Sequence, residues 1–182
     1  VPYRDIFDQK GMYLYFFYGL AYLLSHTTFA GVFVLELVLA TADLLSIYRI
    51  LSLYLKKDLA LLLSPLPLAA AFASNSFYYG GSAEEICLPF LLAGFYLILR
   101  YFKEEYPEKA MDGKTLLFGG LLAGMVANIK FTVLGFFFAW MMCIAIAFLV
   151  KKDLKGAVKA CGIFLLGMFV PFVPWILYFA LQ

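Results

Sequence analysis

Two adjacent acids, Glu84 and Glu85, follow the Gly80-Gly81-Ser82 turn in YYGGSAEEICLPFLL and open an apolar stretch. Acids at a helix start are favoured by the backbone dipole, so capping is one reading. Successive helical residues point about 100° apart, so one carboxylate can cap while its neighbour faces a cavity. Lys130 stands between two apolar runs in ANIKFTVLGFF, after a segment carrying Gly119, Gly120 and Gly124. Such a lysine either snorkels to lipid headgroups or presents a fixed cation to a phosphate. Glu36 and Asp43 are two helical turns apart and share one face of an apolar helix. A carboxylate at membrane depth costs at least ~2.5 kcal/mol, so such groups face a protein interior or a wet cavity. Glu36 is taken as a cavity-lining acid, with neutralisation or pairing with a polar neighbour as its alternative; for Asp43 that alternative, a neutral or paired group kept for packing, is preferred. At the start of the chain Arg4, Asp5, Asp8 and Lys10 stand against an aromatic stretch.

The elements that must position these groups are membrane helices. The 182 residues are 65% hydrophobic and 14% charged, with 20 Phe and 13 Tyr, against roughly 45–50% and 25% in ordinary soluble domains. A soluble fold of this length has too little interior for that much apolar surface. Apolar runs fall at about 28–54, 58–78, 85–102, 114–130, 132–150 and 157–180. Runs of about 20 residues can cross a ~30 Å hydrocarbon core as helices, whose backbone hydrogen bonds are internally satisfied. The expected class is therefore all-α: a polytopic membrane protein with about six transmembrane helices and an N-terminal interfacial helix. Pro65, Pro67, Pro171 and Pro174 are expected to bend their helices. Cys87, Cys143 and Cys161 lie in apolar segments without metal-ligand spacing and read as small buried hydrophobes. The net charge of +2 says little alone, and no nucleic-acid partner is expected.

Charge placement gives an orientation. Arg49, Lys56 and Lys57 follow the first run. Arg100, Lys103, Lys109 and Lys114 surround the 103–114 connector, and Lys151, Lys152, Lys155 and Lys159 the next basic one. By the positive-inside rule these connectors are cytoplasmic, and they alternate consistently if all six runs span. Arg4, Lys10, Lys130, Asp5, Asp8, Glu84 and Glu85 then fall outside or at the outer surface. Residues 11–25 number about 15, short of a ~20-residue span. A crossing there would invert the whole orientation. The stretch reads as a helix lying in the outer interface, a depth that suits Tyr13, Tyr15, Tyr18 and Tyr22; a short tilted span is the alternative. The chain accordingly divides into an outer-face loop and interfacial helix over 1–27 and a transmembrane helical domain over 28–182.

Three segments in this order, PYRDIFDQKGMYLYF, GGSAEEICLPFLL and GLLAGMVANIKFTVLGFF, resemble the GT-C superfamily of membrane glycosyltransferases. The branch most similar is that of the bacterial relatives of protein O-mannosyltransferases and the lipid A aminoarabinose transferase. The resemblance implies transfer of a sugar from a polyprenyl-phosphate carrier to a lipid, glycan or protein acceptor, on the extracytoplasmic face of the cell membrane. Lys10 matches the lysine of the family's HKGP or KPP motif, and Lys130 the lysine after its Gly-rich helix; both are phosphate-binding candidates. Glu85, with Glu84 close behind, matches the second of the family's two acids. The first normally lies upstream, just after a preceding span. The local acids here are Asp5 and Asp8, which in the family usually support the loop, and the QKGM of this chain lacks the His and Pro of the motif. The resemblance therefore implies that the chain is part of a longer protein. Its catalytic candidates are Glu85, Glu84, Asp8 and Asp5. No cofactor is certain, no metal ligands are assigned, and a divalent metal at an acid pair is left open. A transporter or lipid-carrier flippase, and a non-catalytic membrane scaffold, are the alternative readings.

Overall fold

A computed structural model describes residues 10–75, 77 and 80–181. Arg4, Asp5 and Asp8 lie outside the described residues. The helices, in chain order, are α1 Met12–Leu24, α2 Ala30–Ser52, α3 Lys57–Leu63, α4 Pro65–Phe72, α5 Ala83–Glu104, α6 Gly113–Ala127, α7 Gly135–Val150, α8 Leu154–Phe169 and α9 Val173–Ala180. Short 3-10 turns at Phe131–Leu134 and Val170–Phe172 lead into α7 and join α8 to α9. No strand is formed among the described residues.

Four helical stretches are long and apolar enough to cross a membrane: Ala30–Ser52, Ala83–Glu104, Phe131–Val150 and Leu154–Ala180. The outer surface of the bundle is apolar, with Phe33, Leu37, Leu62, Phe138 and Leu166 all exposed, which is compatible with a lipid surrounding. Two of the expected six runs differ in form. The 58–78 run is broken at Ser64, where Pro65 takes the first position of α4; a proline there has no amide to continue the ladder of α3. The 114–130 run forms a helix of only 15 residues, ending at Ala127 with Asn128 as its C-cap. Pro171 and Pro174 likewise fall where α8 tightens and restarts as α9.

Side-chain chemistry sets the helix starts. Ser82 and Glu85 form a reciprocal capping box at the head of α5, Asp112 caps α6 through Thr115 N–H at 3.2 Å, and Asp153 caps α8 through Gly156 N–H at 2.8 Å. Each side-chain oxygen satisfies an amide that the helix itself leaves unpaired. The tightest packing is between α6 and α8. A methyl group added at Gly120 would stand 2.9 Å from Met168 N and from the Phe164 carbonyl carbon, and one at Gly124 2.9 Å from Pro171 Cδ. Small residues let the two backbones touch, the usual means of holding helices together where lipid competes for apolar contacts. Behind this seam Trp140 is buried, stacks on Phe164 with centroids 5.5 Å apart, and donates its indole N–H to the Gly94 carbonyl at 2.9 Å. Of the cysteines, Cys87 is buried as expected; Cys161 is half-buried and Cys143 exposed on the apolar exterior.

Interhelical contacts sort the charged residues into two ends. At one end Lys103 at the tail of α5 lies over the Tyr54 ring beyond α2, 5.0 Å from its centroid, and Lys151 beyond α7 bonds the Pro107 carbonyl. At the other end the head of α5 meets Glu36 near the head of α2, the tail of α6 and the start of α1. Helices α2 and α5 therefore run parallel, and α6 runs antiparallel to both. The basic connectors gather at one end, and Lys10, Glu36, Glu84, Glu85 and Lys130 at the other.

Candidate functional site

The Gly80-Gly81 turn and the tail of α6 place the acids and cations at this second end. Gly80 and Gly81 have φ of +67° and +62°, a backbone conformation that costs glycine nothing and most other residues dearly. Gly80 also lies against the carboxylate of Glu36, where a side chain would reach within 3.4 Å of its Cδ. The turn feeds straight into Ser82, whose Oγ accepts from Glu85 N–H at 3.1 Å while Glu85 Oε2 accepts from Ser82 N–H at 3.2 Å.

This box separates the two adjacent acids. Glu84, about a third exposed, points to the tail of α6 and forms an ion pair with Lys130. Lys10 lies within Coulomb reach of the same carboxylate. Lys10 is brought there by the backbone: Gly11 N–H donates to the Ile129 carbonyl and Tyr13 N–H to the Asn128 carbonyl, both at 3.1 Å. The first turn of α1 is thus stitched to the two residues that precede Lys130.

Glu85 turns the other way. It is only 1% exposed, and its Oε1 accepts no hydrogen bond among the described residues. It helps to line a cavity of about 680 Å³ together with Glu36, Tyr18, Gly80, Gly81, Val32 and four phenylalanines. Glu36 is within Coulomb reach of Glu85. The Tyr18 hydroxyl donates to the Gly81 carbonyl, tying α1 to the turn. Burial, and then the carboxylates of Glu85 and Glu36, push the Tyr18 phenol above its ordinary pKa. Deeper along the same face of α2, Asp43 is fully buried with neither carboxylate oxygen hydrogen-bonded among the described residues; Glu85 is the carboxylate within its Coulomb reach. Of the neutral or paired roles preferred for Asp43 from sequence, pairing finds no hydrogen-bond partner among the described residues.

The site residues expected from sequence thus meet at one end in two groups. Glu84, Lys130 and Lys10 form a charge-paired group against α6, while Glu85 and Glu36 face the cavity between α1, α2 and the turn. Asp5 and Asp8 lie outside the described residues. Sequence reasoning missed Tyr18, which reads as one of four interfacial tyrosines, and the capping role of Ser82, although its three-residue spacing to Glu85 signals a capping box. It also missed Phe72 and Phe77, whose rings tilt together 5.5 Å apart at the cavity wall. Among the described residues no cluster of three or more His, Cys, Asp or Glu side chains is placed to hold a metal ion. Chemically, the paired group offers cations for an anion that can displace or share Glu84, and the cavity offers a buried, unpartnered carboxylate oxygen as a hydrogen-bond acceptor or base. Compared with family models, curated proteins and solved structures, the chain matches none.

Proposed function

We propose that this chain belongs to a polytopic membrane glycosyltransferase that moves a sugar from a polyprenyl-phosphate carrier to a lipid, glycan or protein acceptor on the extracytoplasmic face. In this reading the chain crosses the bilayer six times. The broken α3–α4 pair, with the residues after it, returns the chain from the tail of α2 to the head of α5, because those two helices run parallel. The 15-residue α6 crosses with Asn128–Lys130 completing its length. Helix α1 lies in the outer interface, with Tyr18 and Tyr13 turned inward. The basic end faces the cytoplasm by the positive-inside rule, which leaves the site outside.

The observation that carries the proposal is the arrangement around the head of α5. Two lysines meet Glu84 on one side of the first turn, and a cavity with an unpartnered carboxylate oxygen opens on the other. A lipid-linked sugar phosphate arriving from the bilayer brings its leaving group to the interface. Lys10 and Lys130 would take that phosphate, stabilising the charge that develops as the glycosidic C–O bond to phosphate breaks. Glu84 holds Lys130 in place until then. Glu85 Oε1 would accept the proton of the acceptor hydroxyl or orient that hydroxyl toward the anomeric carbon. The chain's own residues supply binding and proton handling; a divalent ion is not required by this scheme.

The test is transfer of a radiolabelled sugar from a polyprenyl-phosphate donor by the protein in lipid nanodiscs. Glu85→Gln and Lys130→Ala are each expected to lower transfer by about 10²-fold or more, as loss of a charge-stabilising or proton-transfer group does. Both variants should keep the helical content and melting temperature within a few degrees of wild type. Wild-type rates in both, with the protein folded, would reject the assignment.

A further inference from the structure

We propose that a cavity at the basic end of the bundle, between the starts of α6 and α8 and the tail of α7, holds the phosphate of an anionic phospholipid. The cavity measures about 240 Å³. Lys159 lines it together with Met111, Gly113, Phe148, Gly156 and Ile163, and no acid lines it among the described residues. Its walls are otherwise apolar, so the charge it presents to a ligand is positive.

The segment 151–159 carries four lysines and one acid, Asp153. Asp153 is engaged as the cap of α8, as Asp112 is for α6. Lys151 is engaged as well, bonding the Pro107 carbonyl with its Nζ 5.4 Å from the centre of the Tyr106 ring. Lys155 and Lys159 remain, exposed and in no ion pair among the described residues. They stand four positions apart on α8, where like charges repel. Lys155 also sits in the first turn, where the helix dipole disfavours a cation. No carboxylate among the described residues comes within ion-pair distance to offset these costs, and an anion bound at the cavity does. The positive-inside rule accounts for basic residues in a connector; it does not ask for a lysine on a cavity wall, more than a turn inside the helix.

The surroundings favour a lipid over a free phosphate, which gains nothing from apolar walls. Residues 159, 162 and 166 share one side of α8. At Gly162 nothing lies within 4 Å of an added methyl group, and Leu166 below it is exposed. A chain descending from a phosphate at Lys159 lies in that furrow, against Leu166. The volume is below the ~300–1,000 Å³ of pockets that enclose a whole small molecule, which suits a headgroup phosphate whose chains stay outside. The lysine stem lies along apolar surface while its ammonium meets the headgroup, the way basic pockets between membrane helices take anionic lipids.

This inference rests on the chain lying in a bilayer and not on sugar transfer, and it is tested without turnover. The protein, stripped of lipid in detergent, would be titrated with phosphatidylglycerol, phosphatidylcholine and inorganic phosphate. Native mass spectrometry counts the bound lipid, and a thermal melt follows stability. Phosphatidylglycerol is expected to bind about fivefold or more tighter than phosphatidylcholine and to raise the melting temperature; inorganic phosphate should not raise it. Lys159→Gln should lower the preference for phosphatidylglycerol about fivefold, the contribution of one lysine near a headgroup. Lys57→Gln removes the same charge elsewhere at the basic end and should leave the preference unchanged. Gly162→Leu fills the furrow without altering charge and should weaken phosphatidylglycerol retention, so that misfolding of one variant leaves the other to decide. Equal binding of the two lipids, or an equal loss in Lys57→Gln and Lys159→Gln, would mean diffuse attraction and overturn the proposal. A melting shift from inorganic phosphate as large as that from the lipid would overturn it in favour of a plain anion site. Full retention of phosphatidylglycerol in either folded cavity variant would overturn it as well.

Discussion

Replacing Gly11 by alanine tests whether the site depends on α1 being fastened to α6. The backbone at Gly11 is extended, with φ of −75° and ψ of 161°, so alanine brings no conformational strain. The obstacle is contact. The added methyl would overlap the carbonyl of Asn128 and stand 2.7 Å from its Cα, where side-chain carbons essentially never come within 3.0 Å. These are backbone atoms of the helix end, which cannot rotate away, so the start of α1 must lift by about 1 Å or more. That displacement breaks or stretches the two 3.1 Å hydrogen bonds from Gly11 and Tyr13. At roughly 0.5–1.5 kcal/mol net for each bond, the loss is about 1–3 kcal/mol. Lys10 moves with the lifted turn, away from Glu84. A misplacement of about 1 Å at a reacting group can cost on the order of 10²-fold in rate. The expectation is therefore a transfer rate down by about that factor with the bundle still assembled, read in the nanodisc assay beside a thermal melt. Gly19→Ala is the control, because nothing lies within 4 Å of a methyl group there, and it should match wild type in both measurements. A Gly11→Ala protein with wild-type rate and stability would refute the claim that this junction positions the site.

Two further expectations follow from the packing and the electrostatics. Gly120→Ala should destabilise the protein by about 1–3 kcal/mol, because the methyl group would press on the α8 backbone at Phe164 and Met168; Gly162→Ala, with nothing within 4 Å, should not, and denaturant melts of the two variants compare them directly. The raised pKa of Tyr18 means that the folded protein holds this proton to higher pH than the unfolded chain does. Its contribution to stability is whole below the ordinary tyrosine value of about 10 and is lost as pH rises through the folded value. Alkaline ultraviolet titration should show one late-ionising phenol fewer in Tyr18→Phe, and an unchanged titration would show that another tyrosine carries the effect.

The sequence alone determined the all-helical class of the protein and the apolar runs that carry its longest helices. Apolar runs of span length favour helices, whose backbone hydrogen bonds are satisfied internally, and the Ser82-x-x-Glu85 spacing and Pro65 act within a few residues, so such signals stand in one dimension even where, as with the capping pair, the reading overlooked them. The basic connectors also gather at one end of the bundle, because charge segregation is imposed segment by segment. Tertiary structure decided what each polar side chain meets. Glu84 and Glu85 are neighbours in the chain, yet one joins Lys130 across 46 positions of sequence and the other opens into a cavity with Glu36. That division depends on which way a single helical turn faces once α1, α2 and α6 have packed around it. Tyr18 shows the same limit. Its residue type suits a membrane interface wherever it stands, and only the approach of the Gly80-Gly81 turn makes it part of a cavity wall. Spacing along a helix fixes the direction a side chain leaves the backbone; the helices that close around it fix what it finds.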